Sequence, residues 1–345
     1  MRHGKQGTKP RRRGWRIVRA IAFGFCIIVV GLGSVGALWN YLAVRRDRAN
    51  NPPPGHIYEV AGYPMHLYCT GTGSPTVILE SGHGEDFTVW GKVQPALSKG
   101  TRTCSYDRAG FGWSAPQPGE RDAAHIARQL HALLAVAGID EPVVLVGHSG
   151  GGLYARVYAA YYPAAVAGLV LVDAYSPTPL PKPAFSRALD QHSWLQFAAV
   201  KTMVALGVAR AASQCDEVPS GLEAYAGWIK ASTCYYPVLD EYVREDNALG
   251  TSRAEGAKTG PFGSLPILVL SQDTTRPMPA FLQKRVSAAD WAAYSAAHDE
   301  EQVAYLRLST QSRRVVAKGS SHYLQYDRPD VVVNEIESLI GRNRQ

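Results

Sequence analysis

Residues 147–151 read Gly-His-Ser-Gly-Gly, a G-x-S-x-G pattern between the apolar run PVVLV and a helical stretch that Pro163 closes. A serine at a sharp strand-to-helix turn is held in a strained backbone conformation, and small neighbours at Gly147 and Gly151 let strand and helix approach. Its hydroxyl then stands at a helix N-terminus, where backbone N–H groups favour developing negative charge. That is the chemistry of a nucleophile, Ser149, attacking an acyl carbonyl. Taken alone, the pattern reads equally as a glycine-rich turn with an incidental serine. Serine is a weak nucleophile without a base, so the chain must also supply a histidine and a carboxylate, in the order Ser, acid, His. His322 follows the last strand-like run, RRVVAKG, and is the expected base, although any of the ten histidines taken singly reads as a surface residue. Asp273, just past PILVLSQ, is the preferred acid. Asp173, ending GLVLVDA, competes from the preceding strand, and Asp299 reads as a solvated helix charge. The oxyanion needs two N–H donors. One is Gly150; the other comes from Ser81-Gly82-His83-Gly84, with His83 preferred over Gly84.

The elements that must position these residues follow from hydrophobic patterning. HIYEVAG and MHLYCTG predict an antiparallel opening, followed by the runs PTVILES, RTCSYD, PVVLVGH, GLVLVDA, PILVLS and RRVVAKG. The later runs are continuously apolar, as strands buried on both faces of a parallel sheet are. Helical patterns alternate with them, so the class is α/β with a mostly parallel sheet. Between Tyr175 and Leu265 lie about 90 residues rich in Ala, Trp and Tyr, too many for a simple connection. They predict a helical cap over the C-terminal edge of the sheet, where ligands bind in such folds.

The net charge of +7 is unevenly spread: residues 1–50 carry +10 and the remainder −3. The basic balance therefore belongs to the N-terminal segment and does not predict a nucleic-acid partner. Residues 20–44 hold no charge, enough to cross a bilayer core of about 30 Å. Eight Lys/Arg precede them, which predicts a cytoplasmic tail (residues 1–19), a transmembrane anchor (20–44), a proline-bearing linker (45–55) and an extracytoplasmic remainder. The rival reading is a signal peptide cleaved near Val35 and Ala37, leaving a secreted or periplasmic protein. Residues 31–36 formally match G-x-G-x-x-G, but inside an apolar run they read as the small residues of a membrane helix. Cys26 lies in that run; Cys69, Cys104, Cys215 and Cys234 make an even number outside it, open to three pairings. No C-x-x-C spacing or other metal constellation appears, so no cofactor is expected.

From about residue 57 to about residue 340 the chain resembles the α/β-hydrolase superfamily, in its cap-bearing serine-hydrolase branch. The resemblance rests on LESGHG, YDRAGFGWS, VGHSGGG, LVLVDA, PILVLSQD and GSSHYLQYDRP, in that order. It implies the α/β-hydrolase fold: a mostly parallel eight-stranded sheet flanked by helices, formed by residues 56–174 and 266–345. A cap at 175–265 would be inserted between strands six and seven. It also implies the pairings Cys69–Cys104 and Cys215–Cys234, and supporting rather than catalytic roles for Asp107 and Arg108. Members with aspartate at the elbow include epoxide hydrolases and haloalkane dehalogenases, and Ser149 departs from them. The expected function is a serine hydrolase acting through an acyl-enzyme on a small-molecule acyl substrate, a carboxylic ester first. A peptidase, lactonase or acyltransferase on the same residues is the alternative, as is a catalytically silent binding protein.

Overall fold

The structure, a computed structural model, describes residues 11–178, 194–280, 282–284 and 286–343. Residues 1–10 of the basic tail and 179–193 of the expected cap lie outside the described residues. Eight strands form one sheet in the order β1-β2-β4-β3-β5-β6-β7-β8. They are β1 (His56–Val60), β2 (Tyr63–Thr70), β3 (Val77–Glu80), β4 (Thr103–Tyr106), β5 (Val143–His148), β6 (Val166–Val172), β7 (Ile267–Ser271) and β8 (Ser312–Val316). β1, β2 and β4 pair antiparallel, and every pairing from β4 through β3 to β8 is parallel.

The continuous apolar runs have the expected cause. On β5, Val143 and Leu145 join the core on one face of the sheet, while Val144 and Val146 join the core on the other. β6 and β7 repeat this, with Leu169, Leu171, Ile267 and Val269 on the first face and Val170, Val172, Leu268 and Leu270 on the second. Side chains on a strand alternate faces, so a sheet covered on both sides needs apolar residues at every position.

Helices α1 (Arg11–Asn50), α2 (Gln94–Leu97), α3 (Ala123–Val136) and α4 (Gly150–Tyr161) precede or accompany the first six strands. Between β6 and β7 come α5 (Trp194–Ala205), α6 (Val208–Ala211), α7 (Ala226–Thr233) and α8 (Pro237–Ala257). A second helical excursion, α9 (Ala288–Ala304), separates β7 from β8, and α10 (Leu324–Asp327) and α11 (Pro329–Asn343) close the chain. Asp122 starts α3 by accepting a hydrogen bond from His125 N, the ordinary way to satisfy a free N–H at a helix start.

Two disulfides form. Cys69 and Cys104 face each other across the antiparallel β2–β4 pair, with Cα atoms 4.0 Å apart. Cys215 and Cys234 join within the helical segment between β6 and β7. Cys26 is free and exposed.

One boundary differs from expectation. The stretch 45–55 is not a linker throughout, because α1 continues as helix to Asn50. After Gly36 no proline or glycine interrupts the chain until Pro52, and tertiary contacts hold the extra turns. Arg210 donates to Asp47 Oδ2 at 2.6 Å in a pair that is almost fully buried. Arg48 donates to the Gly112 carbonyl at 3.0 Å and lies over the rings of Trp113 and Tyr235. The prolines beyond are also docked, since Trp228 Nε1 donates to Pro52 O at 2.8 Å.

Candidate active site

β5 runs directly into Ser149, whose backbone sits at φ 53° and ψ −122°, a conformation L-residues rarely adopt. A Cβ at Gly147 would fall 2.5 Å from Gly151 O, and one at Gly151 would fall 2.7 Å from Glu80 O. Only glycine fits either position. The turn thus presents the serine at the C-terminal edge of the sheet, at the start of α4.

His322, in the loop after β8, reaches this serine: its Nε2 lies 2.9 Å from Ser149 Oγ. Its Nδ1 lies 2.6 Å from Oδ2 of Asp173, at the end of β6. A carboxylate only accepts, so Nδ1 carries the proton and Nε2 is left to accept from the serine hydroxyl. Asp173 is almost fully buried, and it also accepts from Gln272 N at 2.8 Å. His298 Nε2, from α9, approaches the same Oδ2 at 3.2 Å. Burial works to raise the Asp173 pKa, but the hydrogen bonds from His298 and His322 outweigh it and hold the carboxyl below its ordinary range.

The preferred acid, Asp273, does not reach the histidine. Its Oδ1 accepts from Thr275 Oγ1 at 2.6 Å and its Oδ2 from Gly319 N at 3.0 Å. Those bonds, the Thr275 hydroxyl first, hold its pKa at about 2. Asp273 fastens the loop after β7 to the loop carrying His322, and the carboxylate within reach of the imidazole is Asp173. Asp299, the third carboxylate considered, pairs with Arg314 at 2.5 Å.

The two expected oxyanion donors lie together. A Cβ at Gly150 would fall 3.2 Å from His83 N, so the two backbones converge beside Ser149. The alternative donor is engaged elsewhere, since Gly84 N donates to Glu245 Oε2 at 3.3 Å. Arg108 braces this loop with its whole fork. It donates to Glu80 Oε1, Ser81 O, Gly82 O and both oxygens of Glu245, at 2.6–3.1 Å. Asp107 instead accepts from Phe87 N at 2.9 Å and pairs with buried His66 at 2.7 Å. Both residues support the site without touching Ser149 or His322.

Two histidines were not legible as part of the site. His298 lies in a stretch with no motif. His148 occupies the variable position of G-x-S-x-G, where the pattern carries no information. Its Nε2 lies 3.0 Å from the His322 carbonyl and its Nδ1 3.1 Å from Glu85 Oε2. Both partners only accept, so both ring nitrogens donate and the ring is an imidazolium. Burial opposes that charge, but Glu85 prevails and raises the pKa. His66 and His298 are raised against burial in the same way, by Asp107 and Asp173 respectively.

These three histidines give a stability prediction. Their stabilisation is fully present below the unfolded histidine value of about 6.5 and is lost as pH rises through the higher folded values. Glu85 is shifted the other way, lowered by His148 in spite of burial, so its contribution is lost on acidification. The melting temperature should therefore fall as pH rises above about 6.5, and His148→Gln should flatten that fall. A melting temperature that stays constant over that rise would contradict the charged assignment.

A cavity of about 350 Å³ opens beside these loops, lined among others by Glu85, Asp86, Phe111, Ile229, Tyr323 and Tyr326. Glu85 and Tyr323 connect its wall to the His83 and His322 loops, while Ser149 itself is not part of the lining.

Comparison with known proteins agrees with this architecture. Residues 75–214 match a family model described as the alpha/beta hydrolase fold. An uncharacterized protein of Schizosaccharomyces pombe is 33% identical over 197 residues, which is 48% of this chain and 37% of that one. The chain spans half or less of the length of several curated relatives it matches. Among solved structures, a membrane phospholipase A described as a novel bacterial virulence factor superposes with a TM-score of 0.59 at 19% identity, covering 96% of this chain and 99% of that one. A thermophilic esterase from Thermogutta terrifontis superposes with a TM-score of 0.56 at 20% identity, covering 84% and 99%.

Proposed function

This chain has the α/β-hydrolase fold, and from that premise we propose that it is a serine hydrolase cleaving carboxylic esters through an acyl-enzyme. Ser149 is the nucleophile, His322 the general base and Asp173 its orienting carboxylate. The observation that carries the reading is the unbroken relay from Ser149 Oγ to His322 Nε2 at 2.9 Å, and from His322 Nδ1 to Asp173 at 2.6 Å.

Ser149 Oγ attacks the acyl carbon as its proton passes to His322 Nε2. The carbonyl oxygen becomes an oxyanion held by the N–H groups of Gly150 and His83. Asp173 stays ionised and stabilises the imidazolium. As the ester bond breaks, His322 returns the proton to the departing alkoxide, leaving an acylated serine and a neutral base. Water then repeats the sequence: His322 removes its proton as its oxygen bonds to the acyl carbon, the imidazolium returns that proton to Ser149 Oγ as the acyl–serine bond breaks, and the carboxylic acid leaves. His148 pins the backbone of His322, and Asp273 and Arg108 fix the two loops that must not move during the cycle. The Glu85–Tyr326 cavity takes the substrate beyond the scissile bond. The anchor reading of α1 places the site outside the cytoplasm, held at the membrane.

Support for esters comes from the solved neighbours, a phospholipase and an esterase by their own descriptions. The test is a panel of matched p-nitrophenyl esters and anilides of increasing acyl length on the full chain in detergent. The proposal expects turnover of esters and none detectable for anilides; preferential anilide cleavage would overturn it in favour of a peptidase.

A further inference from the structure

α1 meets the catalytic domain within its own uncharged run, before Val44. One of its faces, at positions 33, 36, 37, 40, 43, 44 and 47, is covered or partly covered, a spacing of three and four residues that marks a single side of a helix. The turn between α5 and α6 lies against that side. At Gly36 any side chain would run into the Leu206 carbonyl, and Gly207 packs against the Trp39 ring. Asn40 Nδ2 donates to Val204 O at 2.9 Å, and its Oδ1 accepts from Arg210 Nε at 3.0 Å. Gly36 comes eight residues before Val44, the last residue of the uncharged run, which is about 12 Å of helix rise. With α1 crossing a bilayer, Leu206 shares its depth below the surface.

The chemistry of the turn matches that depth. Leu195, Val200 and Met203 on α5, with Leu206 and Val208 beyond it, are all exposed. α5 carries one ionised side chain, Lys201, and that pairs with Asp240 of α8. On the uncovered side of α1, Val35, Leu38 and Leu42 are exposed as well. Both elements thus present exposed apolar side chains at this level, more than singly scattered surface residues supply. Toward water the same elements turn polar, where Arg210 and Asp47 pair.

We propose that the α5–α6 turn is inserted in the outer leaflet beside α1, so that the domain sits on the bilayer and takes a membrane amphiphile, a long-chain ester, as substrate. The occupant of the surface is lipid, because the helix packed against it requires lipid at that level. The turn is also joined to the site. Phe197 of α5 packs against Tyr242 of α8 at 5.5 Å between ring centroids, and Tyr242 packs against His83 at 4.5 Å. The substrate class rests on the ester-hydrolase reading; the insertion does not.

The test places an environment-sensitive nitrobenzoxadiazole label at residue 203 (Met203→Cys, with Cys26→Ser), using the full chain in phosphatidylcholine–phosphatidylglycerol vesicles. A label at residue 161 (Tyr161→Cys), at the far end of α4, is the control. The proposal expects lipid-borne doxyl groups to quench the label at 203 and not the one at 161. Equal quenching at both positions overturns it. Protection that scales with the protein-to-lipid ratio, with energy transfer between labelled copies, also overturns it and makes a second copy the occupant. In turnover, Met203→Asp combined with Val208→Asp should slow a long-chain ester presented in vesicles at least tenfold, and leave a water-soluble short-chain ester unchanged. Equal loss on both esters overturns the substrate assignment. A parent protein that cleaves neither ester removes the hydrolase reading, and the quenching result still decides the insertion.

Discussion

Ser149→Ala should lower kcat/KM for any ester this protein cleaves by about 10⁴- to 10⁶-fold, the range seen when a nucleophile is removed from such a relay. The fold should survive it. Ser149 is buried, its hydroxyl meets His322 Nε2, and alanine keeps the Cβ that the elbow already accommodates. Its φ of 53° is no more strained with alanine than with serine. The expected result is a protein with an unchanged melting transition and a residual rate supported only by substrate binding and the Gly150 and His83 N–H groups. Steady-state kinetics with thermal melts on the purified variant check this. Activity within tenfold of the parent would remove Ser149 from the chemistry.

The second large effect separates two aspartates. In Asp173→Asn an amide faces His322 Nδ1. If its nitrogen donates there, the imidazole must carry its proton on Nε2, the wrong nitrogen for accepting from Ser149. Loss of the orienting carboxylate costs about 10⁴-fold in kcat where it has been isolated. Asp273→Asn keeps an acceptor for Gly319 N or Thr275 and weakens charge-assisted bonds in a loop, at a cost of about 1 kcal/mol in stability. Its kcat/KM should fall by less than about tenfold. Measuring both variants against one ester, with melting curves for each, gives the ranking. A reversed ranking would return the role of acid to Asp273.

The two aspartates also mark where sequence reasoning stops. Both end neighbouring parallel strands at the same sheet edge, so strand patterning brings either within reach of His322. What separates them is the path of the chain after each strand. Asp173 turns at φ 45° and accepts from Gln272 N, which aims its second oxygen at the histidine. Asp273 is held by Thr275 and Gly319 instead. Loop trajectories of this kind depend on contacts nearly 50 or 100 residues apart, and no local pattern carries them. The meeting of Ser149 with His322 was legible because the G-x-S-x-G turn and the loop after the last strand share one sheet edge. The central strands β3, β5, β6 and β7 were legible because burial on both faces leaves a continuous apolar run. α1 was legible as an apolar helix, but its length was not. Asp47 sits among arginines that read as a membrane flank, and contacts with distant residues such as Arg210 and Gly112 reveal a docked helix. His148 and His298 lie where the sequence offers no recurring pattern at all.

The central claim is that Ser149 is a nucleophile activated by His322 and held against Asp173. A fluorophosphonate reacts far faster with such an activated serine than with ordinary hydroxyls, so peptide mapping by mass spectrometry after treatment of the full chain tests the claim most directly. The account predicts one covalent phosphonyl adduct on the peptide containing Ser149, abolished in Ser149→Ala and strongly slowed in Asp173→Asn. An adduct on a different residue, or an ester-cleaving preparation that forms none, would contradict it.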